Sequence, residues 1–214
     1  MIALFFEVLP HPGQDGRYLE IAASLKPALD QSGGIVYLDR FRSLSRPRVL
    51  LSHQLWVDEA CLARWRANSR HSGAQTAGRN AVFEDYRLRI GAVVAHVADG
   101  AVAETAPGIA YNDPARQPER FMLVVRSAGQ PFGGVFQAGV DGEAFRSVTR
   151  DTGHAAVAAV PDRAAGLALL RRAASDPCVS AAQLCLVSRD YGMFDRSEAP
   201  QYFPPREQPG RHGT

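Results

Sequence analysis

The sequence predicts an α+β protein built from two consecutive ferredoxin-like domains. Two observations carry this prediction: residues 1–97 show the order strand, helix, strand, strand, helix, strand, and a weaker copy of that order follows from residue 119. We therefore expect domains at 1–97 and 119–196. A linker at 98–118, rich in Ala, Gly, Pro, Asn and Asp, joins them, and a tail at 197–214 follows.

The hydrophobic pattern of the first half switches between strand and helix periods. The predicted elements are a strand at 2–9, a helix from 15 to a stop at Gly33-Gly34, strands at 35–43 and 49–56, a helix capped by Asp58, and a strand at 83–97. Pro27 lies inside the first helix. Because proline removes a helical hydrogen bond, we expect a kink or a break there.

The second half repeats this pattern at an offset of 104 residues. Phe145-Arg146-Ser147 repeats Phe41-Arg42-Ser43, and the same offset takes Asp58 to a second predicted helix cap, Asp162. Chance agreement is the alternative, but the shared order of elements favours duplication. The stretch 129–143 is rich in glycine and has no helical period, so we expect the second copy to have lost its first helix. Its framing strands are predicted at 120–127 and 180–189.

Composition excludes several classes of partner. The net charge is +2 and the arginines are spread along the 214 residues, so no nucleic-acid partner is predicted. No apolar run approaches the ~20 residues that a membrane span needs, so no membrane partner is predicted either. Cys61, Cys178 and Cys185 lack metal-ligand spacing, which predicts no metal site. Their odd number favours reduced thiols, and we expect a cytoplasmic protein.

A set of short motifs gives the first half a specific resemblance. They are Phe6-Glu7-Val8, Tyr18-Leu19, Arg40-Phe41-Arg42-Ser43, Trp56 with Asp58-Glu59, Trp65-Arg66, His71, Ala74-Gln75, Gly78-Arg79 and the segment 83–87. Through them, residues 2 to about 97 resemble the antibiotic biosynthesis monooxygenase family, a branch of the dimeric α+β barrels. The resemblance returns at 189–196, which looks like the segment that follows the last strand in single-domain members. The second half thus resembles a diverged family module.

The resemblance implies that the two antiparallel sheets pack together as an α+β barrel, with a pocket between each sheet and its helices. This is physically reasonable, because a sheet covered by helices on one face needs a partner for the other. Here the partner sheet is available within the chain, as an intra-chain pseudo-dimer. The sequence also allows a homodimer of the whole chain.

The resemblance also implies a chemistry. Several members of the superfamily oxygenate electron-rich aromatic substrates without metal or flavin, the deprotonated substrate giving an electron to dioxygen. We therefore expect no cofactor and a phenolic or quinol-like small aromatic substrate. The protein would need a dry pocket, a group that takes a phenolic proton, and donors that stabilise the anion.

Seven side chains of the first half are of suitable type. The predicted catalytic residues are His71, Trp65 and Arg87, and the predicted substrate-binding residues are His53, Tyr86, Gln75 and Glu7. His71 is expected at the end of the helix that carries Trp65, where it would act as a base or donor. The alternatives are a solvated histidine at a helix end and a tryptophan that only fills the core.

The strand positions leave their directions open. Arg87 and Tyr86 are neighbours on one strand, so they point to opposite faces, and either face could line the pocket. Glu7 lies in an apolar strand and should reach an arginine or face a polar pocket. His53 could point into the barrel or form a hydrogen bond in the core.

Two other functions fit the same fold. One is a non-enzymatic small-molecule-binding or stress-associated barrel, which would keep the pocket without its titratable groups. The other is haem binding or degradation. The haem-degrading relatives carry a histidine ten residues after the helix tryptophan and an asparagine on the first strand, where this chain has Gln75 and Glu7. The sequence argues against haem, and we expect at most one active pocket per chain.

Overall fold

The computed structural model describes residues 1–106, 119–129, 142–201, 203, 204, 206 and 207. Their elements are, in chain order, β1 (Ile2–Pro10), α1 (Asp15–Ser24), α2 (Lys26–Ser32), β2 (Ile35–Ser43), β3 (Leu50–Trp56), α3 (Glu59–Arg66), α4 (Ser69–Ala77), a π-helical turn (Gly78–Val82), β4 (Phe83–Ala98), β5 (Ala101–Glu104), β6 (Phe121–Ala128), β7 (Gly142–Ser147), β8 (Gly153–Val160), α5 (Arg163–Ala174) and β9 (Val179–Gly192).

Local sequence signals set several of these boundaries. Pro27 lies in the first turn of α2, where its missing N–H costs nothing, and α1 ends just before it, so the predicted break is confirmed. Asp58 accepts a hydrogen bond from the Cys61 amide at 2.8 Å, and Asp162 accepts one from the Ala165 amide at 2.8 Å. Both predicted helix caps are confirmed.

The strands form one antiparallel sheet that closes on itself. Hydrogen bonding follows the order β1-β3-β2-β7-β8-β6-β9-β4, and β4 pairs again with β1, which makes an eight-stranded barrel with β5 added beside β4. Each copy contributes four strands in the ferredoxin-like order, β2-β3-β1-β4 and β7-β8-β6-β9. The predicted pair of ferredoxin-like units in an α+β barrel is confirmed. The two sheets are joined by hydrogen bonds as well as by packing.

The repeated tripeptides form one of the two seams between the copies. In the β2–β7 pair, Phe41 faces Ser147, Arg42 faces Arg146 and Ser43 faces Phe145. Each tripeptide therefore pairs with its own repeat in the opposite direction. This places a pseudo-twofold axis at the pair Arg42 and Arg146.

Polar contacts beside this seam obey the same symmetry. Asp39 of the first copy accepts a hydrogen bond from Ser147 Oγ at 3.0 Å and pairs with Arg150 at 3.4 Å. At an offset of 104 residues, Glu143 accepts from Ser43 Oγ and pairs with Arg46. The acid of each copy is thus held by the serine and arginine of the other, which supports a duplication.

The interior of the barrel is an apolar core shared by both copies. Phe5, Phe41 and Leu51 meet Phe145 and Val157 there, and all five are buried. Burying this face of both sheets supplies the hydrophobic contribution that a single ferredoxin-like unit could not obtain alone. Helices α1 to α3 pack on the outer face of the first sheet, and α5 packs on that of the second.

The predicted linker and tail are partly described. Residues 101–104 of the expected linker form β5 against β4, so the sheet continues past residue 98. Residues 107–118 lie outside the described residues, and so do 130–141, on which the predicted loss of a helix falls. The division into domains stays a prediction. Among the helices of the described residues, none has the length and apolar character that crossing a membrane requires.

We predict that Gly91→Ala destabilises the protein at the β4–β9 seam. A Cβ at this position would lie 2.4 Å from the carbonyl oxygen of Leu186, and backbone cannot easily move away. Overpacking of this kind costs about 1–3 kcal/mol, measurable by urea unfolding. Gly16→Ala is the control, because a Cβ there meets nothing within 4 Å. Equal stability of Gly91→Ala and wild type would contradict the tight approach of the two strands.

Candidate functional site

A cavity lies between the outer face of the first sheet and helices α3 and α4. Its volume of about 110 Å³ far exceeds the ~10–15 Å³ that one water needs. Apolar walls come from strands β1 and β4 and from helix α3: Leu4, Phe6, Leu62, Phe83, Leu88 and Ile90. The polar and charged residues that line the cavity include Arg66, His71, Gln75, Arg79, Tyr86 and Arg196. An apolar cavity with a few convergent polar groups is the usual form of a small-molecule site.

His71 and Trp65 form the stacked pair of this cavity. Their ring centroids are 4.5 Å apart with an angle of 22° between the planes. The expectation that His71 lies at the end of the helix that carries Trp65 is wrong: α3 ends at Arg66 and His71 lies in α4. Asn68 stops that helix and caps α4, its Oδ1 accepting from the amides of Arg70 at 3.0 Å and His71 at 3.3 Å. The resulting corner folds His71 back onto Trp65.

The contacts of His71 define its protonation state. Its Nδ1 lies 3.2 Å from the Trp65 carbonyl oxygen, which can only accept, so Nδ1 carries the hydrogen and Nε2 keeps a free lone pair. Burial lowers the pKa of His71 to about 4, against the smaller effect of the Trp65 hydrogen bond, and the charge of Arg66 lowers it further. His71 is therefore a neutral imidazole near pH 7 and can accept a proton.

Two arginines fix the hydroxyl group of Tyr86. Nη1 of Arg79 donates to Tyr86 Oη at 2.8 Å, and Nη1 of Arg196 donates to the same oxygen at 2.9 Å. Arg79 is 6% exposed and comes from the π-helical turn, a rare geometry that is frequent at functional sites. Because both lone pairs of the oxygen are used, the hydrogen of Tyr86 is the part left to donate.

The segment after β9 closes the cavity. Arg79 donates to the carbonyl oxygen of Pro204, Arg196 donates to that of Gln201 at 3.1 Å, and both guanidinium groups flank the ring of Phe203. This segment follows the last strand of the second copy. Residues that follow the last strand of the second copy thus complete the wall of the first copy's cavity.

The charges around the cavity are one-sided. Three arginines line it, and none of the described lining residues is an aspartate or glutamate. In addition, Oε1 of Gln75 is buried without a hydrogen-bond partner in the part of the chain that the structure describes. The cavity thus offers cations, the hydroxyl of Tyr86 and a free amide acceptor, which suits an anionic or ionisable ligand that also carries a donor.

Three of the predicted site residues lie elsewhere. On β4, Tyr86 and Leu88 face the cavity, so the alternating Arg87 and Arg89 point to the barrel mouth. There Arg87 pairs with Asp190 at 2.6 Å, and Glu7 pairs with Arg89 at 3.1 Å, which confirms the expectation that Glu7 reaches an arginine. Four predicted residues, His71, Trp65, Gln75 and Tyr86, do line the cavity.

His53 points into the barrel and not into the cavity. It is 0% exposed, stacks on Phe5 with centroids 4.8 Å apart, and places Nδ1 3.3 Å from the carbonyl oxygen of Leu4. Burial, with a contribution from the charge of Arg126, lowers its pKa to about 3. Its Nε2 is buried with no partner among the described residues. His53 is therefore a neutral core histidine.

The second copy has no equivalent cavity-forming helix in its described part. Helix α5 ends at Ala174 and β9 begins at Val179, so no counterpart of α4 lies between them. At an offset of 104 residues, Gly166 replaces Leu62 and Leu169 replaces Trp65. A Cβ on Gly166 would lie 2.4 Å from Leu184, so α5 packs directly on its sheet. The expectation of at most one active pocket per chain stays a prediction.

The fold is an α+β barrel with an apolar cavity beside its first sheet, and comparisons with known proteins give its family. Residues 1–77 match the model of the antibiotic biosynthesis monooxygenase family. The chain is also 36% identical over 214 residues to "Jasmonate monooxygenase ABM" of Pyricularia oryzae, covering 96% of this chain and 99% of that protein. This chain belongs to the antibiotic biosynthesis monooxygenase family, as the sequence motifs predicted.

Solved structures show a more distant likeness. A conserved protein from Methanosarcina mazei Go1 is 15% identical, with 42% of this chain and 88% of that chain covered and a TM-score of 0.39. A candidate monooxygenase from Lactobacillus acidophilus NCFM is 7% identical, with 88% and 94% covered and a TM-score of 0.41.

We predict that acid destabilises the protein through its two buried histidines. Unfolded histidine titrates near 6.5, whereas the folded pKa is about 3 for His53 and about 4 for His71. Below pH ~6.5 the unfolded state therefore binds more protons than the folded state. The contribution to stability is full above pH ~6.5 and falls towards pH ~4. Each histidine should cost up to about 1.4 kcal/mol per pH unit, measured by urea unfolding at a series of pH values.

The variant His53→Leu tests the origin of this slope. Leucine keeps an apolar side chain in the core and cannot be protonated, so the variant should lose less stability than wild type between pH ~6.5 and ~4. His11→Ala is the control, because His11 is exposed. An unchanged slope in His53→Leu would contradict the assignment.

Proposed function

We propose that this protein is a monooxygenase that transfers one atom of dioxygen to a small phenolic or quinol-like substrate in the cavity of the first copy, without a metal or organic cofactor. The observation that carries the proposal is the stack of His71 on Trp65, with Nε2 of the neutral imidazole free. Family membership supports the reaction class, and the arrangement of His71, Tyr86 and the arginines supports a substrate that ionises.

In this proposal His71 removes a proton from the substrate, and the arginines stabilise the resulting substrate anion through Tyr86. Nε2 of His71 accepts the phenolic or ring proton, while Tyr86 donates its hydroxyl hydrogen to the resulting oxyanion. Because His71 is a weak base, the proton transfer requires a more acidic substrate, and stabilisation of the substrate anion makes the substrate more acidic. Arg79 and Arg196 do this by polarising Tyr86 through their hydrogen bonds to its oxygen.

The substrate supplies the electrons. For an anthrone-type ring methylene, CH2 and O2 give C=O and H2O: one oxygen atom enters the product and the other leaves as water with both hydrogens. The carbanion form passes an electron to dioxygen, and the two radicals combine. The closed apolar cavity serves this step by keeping water away from the anion.

A second candidate is oxygenation of a non-aromatic acid. The Pyricularia relative is named a jasmonate monooxygenase, and jasmonate is a carboxylate. The observation that favours such a substrate here is the lining of the cavity, which has three arginines and no carboxylate among its described residues. The non-enzymatic alternative predicts binding without turnover.

We predict that His71→Ala lowers the rate of oxygen uptake by roughly 10²-fold or more, the range for loss of a general base. An oxygen electrode would follow a panel of anthrone-type and quinol-type substrates together with jasmonate. His11→Ala, which removes an exposed histidine outside the cavity, should leave the rate unchanged.

The other possible results of this experiment distinguish the candidate functions. Uptake with jasmonate alone would favour the second candidate, and binding without uptake would favour a non-enzymatic barrel. Uptake that survives His71→Ala would remove this residue from the mechanism.

A further inference from the structure

Arg66 differs from the other two arginines of the cavity. Arg79 and Arg196 are bound to Tyr86 and to backbone carbonyl oxygens. Arg66 lines the same cavity and is half-buried, yet it makes no hydrogen bond or ion pair with any residue that the structure describes. We infer that Arg66 binds an anionic group of the substrate, and that the cavity selects small organic acids.

Among the residues that the structure describes, none supplies an anion that pairs with Arg66. The acid of its own helix, Glu59, is bound at 2.7 Å by Arg189, and both of those side chains are largely buried. The helix C-terminus favours a cation in general, but it does not require one in the cavity. Arg64, in the same turn, satisfies that preference from an exposed position. No contact with the described residues accounts for the placement of Arg66 at the cavity, whereas a bound ligand would account for it.

A carboxylate is the chemistry that matches this group. A guanidinium presents paired N–H donors to the two oxygens of a carboxylate, and partial burial strengthens such a contact relative to water. The half-buried charge also costs less once it is paired. The inference rests on the proposed function in one respect, since it places the reacting end of the acid near His71 and Tyr86. Oε1 of Gln75 would accept a hydroxyl hydrogen of the same ligand.

Paired acids and esters test this directly. Calorimetric titration of the full chain would use 2-naphthoate and methyl 2-naphthoate, and jasmonate and its methyl ester. Wild type should bind at least one acid more tightly than its ester. Arg66→Gln should weaken acid binding on the order of 10–100-fold, the value of a charged hydrogen bond, and leave ester binding unchanged. Arg66→Lys should restore part of the loss.

Arg70→Gln is the matched control. It removes the same charge from the neighbouring helix, but Arg70 is exposed and does not line the cavity. Equal affinity of acid and ester, equal losses of both in Arg66→Gln, an equal loss in Arg70→Gln, or no binding of either acid at millimolar concentration would overturn the inference. Because the titration measures binding and not turnover, its failure is distinguishable from failure of the proposed oxygenation.

Discussion

Closure of the barrel is the constraint on which the rest of the structure depends. A four-stranded sheet that is covered on one face leaves an apolar face and two hydrogen-bonding edges unsatisfied. The second copy satisfies all three through the β2–β7 and β4–β9 seams and the shared core. The β4–β9 seam also carries the chain back to the first copy, so the arginine that follows β9, Arg196, reaches the hydroxyl of Tyr86 on β4.

The two copies use this frame differently because of a few residues. In the second copy, Gly166 lets α5 lie directly on the sheet, and Leu169 fills the space near it. In the first copy, Leu62 and Trp65 occupy those positions, and α4 follows with no buried residue of its own. A polar helix that contributes no buried residue to the core leaves a gap between itself and the sheet, and that gap is the cavity.

Patterns of local origin were predictable from the sequence, and long-range placements were not. The break at Pro27 and the caps at Asp58 and Asp162 depend on neighbouring residues, so sequence alone specifies them. The directions of Arg87 and His53 depend on which face of a strand is covered, which periodicity cannot decide. Arg79 and Arg196 are far apart in the chain and meet only through β9. Their sole signal was membership in the quoted motifs Gly78-Arg79 and 189–196.

The electrostatics of the cavity follow from the same arrangement. Burial keeps His71 neutral, so the imidazole adds a proton acceptor without adding to the positive charge already present. In the proposed mechanism the arginines therefore act on the anion, and the neutral histidine accepts the proton that the substrate loses when this anion forms. Since Arg79 and Arg196 also hold the segment of Gln201 and Phe203, the groups that polarise Tyr86 are the groups that keep the cavity closed. In the proposed mechanism, stabilisation of the anion and exclusion of water are thereby coupled in one set of hydrogen bonds.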